Sequence, residues 1–187
     1  MFIVKRSSEN PVLLPDREHA WEAEAAFNGC VVKTGKTYHL VYRAVSLPES
    51  REGAELQVSS IGHAESVDGV HFTHRRQFIK PEYDWEKFGC EDPRITRIGG
   101  KYYIFYTALS TYPFGADGIK IGVAVTRDFR KIEEKHPVTP FNAKAMALFP
   151  ETIKGKMAAV LTVHTDMPPA KICVALFEKE EMFWSPE

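Results

Sequence analysis

Asp92, in the run Phe88-Gly89-Cys90-Glu91-Asp92-Pro93-Arg94-Ile95, is the residue best suited by type and neighbours to move a proton. It precedes a proline, which disfavours helical backbone and predicts an extended setting with the carboxylate held in one direction. Glu91 and Arg94 add a second acid and a base, and a carboxylate among charges can have its pKa tuned for proton transfer. The same run also fits a solvated loop closed by a local salt bridge. In Trp21-Glu22-Ala23-Glu24-Ala25-Ala26-Phe27-Asn28-Gly29, strand spacing puts Glu22 and Glu24 on one face and Trp21 and Ala23 on the other. Asn28, next to Gly29, is a polar candidate and equally a turn signal. Two cations stand out because their surroundings are apolar. Arg43 lies within a Tyr-rich run, and Lys144 lies in Asn142-Ala143-Lys144-Ala145-Met146-Ala147-Leu148-Phe149-Pro150-Glu151. Each either snorkels to solvent or faces an anion.

These residues need a frame, and the chain carries one in triplicate. Gly35-Lys36, Gly100-Lys101 and Gly155-Lys156 each open a β-rich run, as at the second strand of a hairpin. A second marker follows each: Ile61-Gly62-His63-Ala64, Ile121-Gly122-Val123-Ala124 and Ile172-Cys173-Val174-Ala175. Two markers recurring in one order predict a structural repeat of short strands, with the chemistry-bearing segments as loops between repeats. Aspartate turns at Ser66-Val67-Asp68-Gly69 and Thr126-Arg127-Asp128-Phe129 predict hairpin tips. The best helical candidate, Glu178–Phe183, is too short to stand alone. The fold class is therefore all-β, with a β-propeller ahead of a β-sandwich. A closed propeller needs about 4–8 blades, and the repeats supply about three. The expectation is a single propeller domain over 1–187, forming the N-terminal portion of a longer ring. The alternative is a homo-oligomer in which several chains complete it.

Composition removes other classes. The 187 residues hold 24 Lys+Arg against 25 Asp+Glu, a formal net charge of -1, so neither nucleic acid nor an anionic membrane is an expected partner. No apolar run approaches the ~20 residues of a membrane span, and the opening MFIVKRSSENP lacks a signal-peptide core. Cys30, Cys90 and Cys173 are odd in number and widely spaced, which predicts free thiols in a reducing, cytoplasmic setting. The histidines show no helical zinc spacing, so no metal is expected.

Taken together, WEAEAAFNG at 21–29, YRA at 42–44, GCEDPRI at 89–95, GKYYIFYTA at 100–108 and ALFPETIKGK at 147–156 resemble glycoside hydrolase family 130, the β-mannoside phosphorylases and related β-mannosidases. The resemblance implies a five-bladed propeller with its site at the mouth of the central channel. It makes Asp92 the general acid, reaching the leaving-group oxygen through a hydroxyl of the mannose ring. Asn28 and Arg43 match residues that hold the mannosyl unit, and Glu24 and Arg94 are further substrate-binding candidates. Lys144 falls where the phosphorylases carry a basic residue for phosphate. No cofactor is implied, but inorganic phosphate is the co-substrate of a phosphorylase.

One departure shifts the balance of activities. Where phosphorylases carry a second cationic phosphate ligand, this chain has Thr162, with His164 as the nearby substitute. A neutral imidazole clamps phosphate less well than the arginine fork. The leading expectation is thus inverting hydrolysis of β-mannosides, with phosphorolysis yielding mannose 1-phosphate as the alternative. Hydrolysis needs a base on the opposite face, with the two carboxyl groups ~6.5–9.5 Å apart, and Glu151 and Asp166 are the candidates. Two further readings are an inactive carbohydrate-binding fragment and a five-bladed glycosidase acting on arabinosides, xylosides or fructosides.

Overall fold

A computed structural model describes residues 3, 5 and 7–183. Among the described residues the chain forms eleven strands in three successive antiparallel meanders, with only single turns of 3-10 helix at Ala116–Gly118 and Glu180–Phe183. The first unit comprises β1 (Ala25–Thr34), β2 (Thr37–Arg51), β3 (Ala54–Ser66) and β4 (Thr73–Ile79). The second comprises β5 (Gly89–Ile98), β6 (Lys101–Leu109), β7 (Ile119–Thr126) and β8 (Glu134–Pro137). The third comprises β9 (Ala143–Leu148), β10 (Met157–Val163) and β11 (Lys171–Phe177). A single parallel bridge, Ser59 to Gly89, joins the first two meanders. The first strands lie side by side, with β1 against β5 and β5 against β9.

The two sequence markers fall on the second and third strands of every unit. Tyr42 of β2 pairs with Gly62 of β3, Tyr106 of β6 with Gly122 of β7, and Leu161 of β10 with Cys173 of β11. The two glycines are needed for space. A Cβ on Gly122 would lie 2.6 Å from the Trp85 ring and 2.9 Å from that of Tyr106, and one on Gly62 would run into the Tyr42 ring. The aspartate turns also form hairpin tips, joining β3 to β4 and β7 to β8. Ser66 and Thr126 each cap the turn by accepting a backbone N–H, from Gly69 and Phe129 respectively.

The central sheet is buried on both faces, which explains why GKYYIFYTA is apolar throughout instead of alternating. Tyr102, Ile104, Tyr106 and Ala108 pack against the first unit with Val41, Ile61 and Ile79. Tyr103, Phe105, Ile121 and Val123 pack against the third with Met146, Leu148 and Leu161. Each large side chain so buried contributes about 1.5–3 kcal/mol of transfer free energy. Cys90 is buried, Cys30 and Cys173 are half-buried, and all three are free.

Three expectations need correction. The segments carrying Asn28, Asp92 and Lys144 are not loops between repeats but the first strand of each sheet. Their alternation is broken by a bulge at the same place each time. Asn28-Gly29 opposes Tyr42, Asp92-Pro93 opposes Tyr106, and Ala145-Met146 opposes Leu161. Asp92 is accordingly not extended. It takes φ 53°, as Asn28 takes 51° and Ala145 takes 55°, because the bulge requires a left-handed residue. Finally, Glu22 and Glu24 do not share a strand face, since 21–24 is a turn ahead of β1 that buries Glu22 and exposes Glu24.

Candidate active site

The bulges of the first two units bring Asn28 and Asp92 together across 64 residues of sequence. The Asn28 amide donates a hydrogen bond from Nδ2 to Asp92 Oδ1 at 2.7 Å. Arg43, on β2, spans the two acids of the second unit. Its Nη2 lies 2.5 Å from Glu91 Oε1 and its Nη1 lies 3.7 Å from Asp92 Oδ1. Its Nε donates to Ser59 Oγ at 3.0 Å, and that hydroxyl donates to Glu91 Oε1 at 3.1 Å. The guanidinium also lies over the Phe27 ring, 5.0 Å from its centroid. Burial pushes the Glu91 carboxyl up from its ordinary range, while Arg43 and Ser59 hold it back. Arg43 is therefore fixed by four partners on three strands, and its fork holds the two carboxyl groups in one orientation.

An open cleft of about 490 Å³ adjoins this cluster, lined by Arg43, Glu91, Leu109, Phe114, Lys144 and Asp166. Lys144 Nζ sits 3.3 Å from Asp166 Oδ1. Asp166 also accepts from Thr165 Oγ1 at 2.7 Å and from Asn142 Nδ2 at 3.2 Å. The Thr165 hydrogen bond, helped by Asn142 and Lys144, holds the Asp166 carboxyl below its usual range. An anion entering at Lys144 thus meets a cation already paired with a carboxylate.

Of the residues picked out in the sequence, Asn28, Arg43 and Asp92 form one cluster, with Lys144 on the adjoining cleft. The others stand apart. Glu24 is exposed and takes no part in the cluster's hydrogen bonds. Arg94 turns to the Pro93 carbonyl at 2.8 Å, leaving both acids to Arg43. His164 is exposed beside a separate shallow pocket with Phe141, Cys173 and Val174. Glu151 lies in an exposed turn, whereas Asp166 borders the cleft. Ser59 is not legible in the sequence, because a serine in a strand carries no signal until its partner strand is known.

Two groups of side chains among the described residues have donor atoms close enough to share a metal ion: His39, His63 and Glu65, and Asp16, His19 and Glu22. Direct hydrogen bonds account for both. His39 Nδ1 and His63 Nε2 are 3.1 Å apart, and His19 Nδ1 lies 2.8 Å from Glu22 Oε1. Burial lowers the His39 pKa and takes that of His63 down to about 3, so the buried pair is neutral. No helix among the described residues is long and apolar enough to cross a membrane.

A family profile described as beta-1,4-mannooligosaccharide phosphorylase matches residues 4–187. The chain belongs to glycoside hydrolase family 130. It is 37% identical over 179 residues to a beta-1,2-mannobiose phosphorylase of Thermoanaerobacter sp. (strain X514), covering 90% of this chain and 56% of that protein. A 1,2-beta-oligomannan phosphorylase of the same organism is 36% identical over 172 residues, with 89% and 56% covered. Among solved structures, the Listeria innocua beta-1,2-mannobiose phosphorylase in complex with beta-1,2-mannobiose superposes with a TM-score of 0.70. That match has 23% identity and covers 93% of this chain and 62% of the other, so it speaks to the fold. The family 130 chain described here thus spans little more than half the length of the curated relatives it matches.

Proposed function

We propose that this family 130 chain belongs to an inverting β-mannoside phosphorylase. The observation carrying this reading is Asp92, held between the Asn28 amide and the Arg43 guanidinium beside a cleft lined by Lys144. In this scheme the three sheet units are successive blades of a five-bladed propeller, with further blades outside these 187 residues. The share of the relatives' length covered by the chain supports that arrangement. Asn28 and Arg43 orient the mannosyl unit, and Asp92 supplies a proton towards the leaving oxygen by way of a sugar hydroxyl. Inorganic phosphate enters from the cleft and attacks the anomeric carbon from the opposite face, releasing mannose 1-phosphate. The two Thermoanaerobacter relatives favour phosphorolysis over hydrolysis and β-1,2 over β-1,4 linkages. The order of expectation set by Thr162 alone is thereby reversed.

Hydrolysis is the second reading, and one specific observation favours it. Asp166, an acid on the cleft wall, already neutralises Lys144 and is held in the form able to accept a proton. Incubation with β-1,2- and β-1,4-mannobiose, each with and without phosphate, separates the two. Mannose 1-phosphate formed from the β-1,2 disaccharide only when phosphate is present is the expected result. Equal release of free mannose without phosphate would overturn phosphorolysis.

A further inference from the structure

Two fully buried carboxylates, Glu22 and Glu86, take no part in the chemistry above, and both are 0% exposed. They close the same short segment, His19-Ala20-Trp21-Glu22 and Tyr83-Asp84-Trp85-Glu86, six residues before Asn28 and Asp92 respectively. The local backbone repeats as well. The amide of Glu22 donates to the carbonyl of His19 at 2.9 Å, and that of Glu86 donates to Tyr83 at 3.0 Å. Tyr42 donates its hydroxyl to Glu22 at 2.7 Å, and Tyr106 donates its own to Glu86 at 2.6 Å. These tyrosines are the residues that oppose the two bulges. A cation from the fourth strand completes each arrangement, Arg75 at 3.5 Å from Glu22 and Lys135 on Glu86. Glu86 also accepts from the Glu82 amide at 3.1 Å and from the Cys90 thiol at 3.3 Å, two residues before Asp92.

A buried ion pair is a weak source of stability, because desolvation offsets much of the attraction. It does impose direction. A bulge leaves a residue unpaired, so the strand ladder alone does not fix where that residue points. The third unit shows that a bulge forms without a buried acid. Six residues before Ala145 stands Thr139, which accepts the Ile121 amide at 3.0 Å, and Leu161 opposes the bulge. The carboxylate is therefore present in the two units whose bulge residue brings a polar group into the cluster, and absent from the unit whose bulge residue is an alanine.

We propose that Glu86 and Glu22 are positioning residues for the site. Glu86 fixes Asp92 by holding Tyr106 against the bulge and Cys90 upstream of it, and Glu22 fixes Asn28 through Tyr42. The inference rests on the phosphorylase reading, which gives Asp92 and Asn28 different tasks, so the two acids leave different kinetic signatures. With turnover counted per folded molecule on β-1,2-mannobiose and phosphate, Glu86→Gln lowers kcat about 10-fold and keeps KM within about 2-fold. Glu22→Gln raises KM about 5-fold with the smaller change in kcat. Parallel losses in both variants, or none in either, overturn the proposal. Should a Gln variant not fold, Tyr106→Phe and Tyr42→Phe remove the contact without stranding a charge. They show the same split in smaller measure, and its absence there is equally decisive against the proposal. If the unaltered protein turns over neither mannobiose, the functional reading fails and amide hydrogen exchange judges this inference instead. Glu86→Gln, or Tyr106→Phe in its place, then speeds exchange over 89–95 about 10-fold relative to β10, whereas uniform acceleration overturns it.

Discussion

The first two units and the third build the same bulge in different ways. In the first two, a tyrosine faces the bulge, a glycine behind it makes room for the ring, and a buried acid takes the hydroxyl. In the third, Leu161 and Cys173 occupy the tyrosine and glycine positions, and Met146 and Ala159 pack with Leu161 in an apolar core. An all-apolar solution is thus enough for the sheet. The polar solution appears where the bulge delivers Asn28 and Asp92, so it is better understood as serving the site than as holding the fold together.

Substitution at Asp92 should break the equivalence of the bulges most sharply. Asp92→Asn keeps the left-handed backbone but removes the acid, and turnover of β-1,2-mannobiose should fall by at least ~100-fold. Near-normal rates would exclude Asp92 from proton transfer. Next in size is the glycine behind the ring. Gly122→Ala overpacks Trp85 and Tyr106 and should cost about 1–3 kcal/mol in urea unfolding. Cys173→Ala, at the matching place in the third unit, should stay within about 1 kcal/mol because it removes one sulfur from a half-buried position. A smaller effect of opposite sign is expected at the third bulge. Ala145→Gly relieves a left-handed alanine and should stabilise by up to about 1 kcal/mol, and a loss of stability there would show that the bulge is unstrained.

The smallest effect is electrostatic. The Asp166 carboxyl is held low in the folded protein, so its share of stability is present above its unfolded pKa, near 4, and is lost as pH falls towards the lower folded value. Asp166→Asn should therefore flatten the fall in thermal midpoint below about pH 4, because the small share of stability that the ionised carboxylate adds at neutral pH is already gone from the variant. A variant with the same acid profile as the unaltered chain would show that the pair with Lys144 contributes nothing.

Much of this frame was legible in the sequence. The glycine-lysine and isoleucine markers fall on equivalent strands, and the Asn28, Arg43 and Asp92 motifs converge. The first strand of each unit was not legible, because two residues facing one destroy the period-two pattern by which strands are recognised. Charge pairing was not legible either. Arg94 is two residues from Asp92, but Arg43 reaches both acids from the neighbouring unit, a partnership set by how two sheets pack. The Trp-Glu repeat, by contrast, was available in the letters. Trp21-Glu22 and Trp85-Glu86 precede Asn28 and Asp92 by the same interval, and that shared interval is its signal.

The positive φ at the bulges has one more consequence. Among residues with side chains, asparagine and aspartate enter the left-handed region at least cost. A backbone that demands this conformation within each first strand therefore favours a short amide or acid there on steric grounds alone. In the first two units a polar head is delivered to the same point of the first strand before any substrate is present. A reaction that needs an amide beside a carboxyl group could then be assembled by keeping what the backbone already preferred, and by adding one arginine between them.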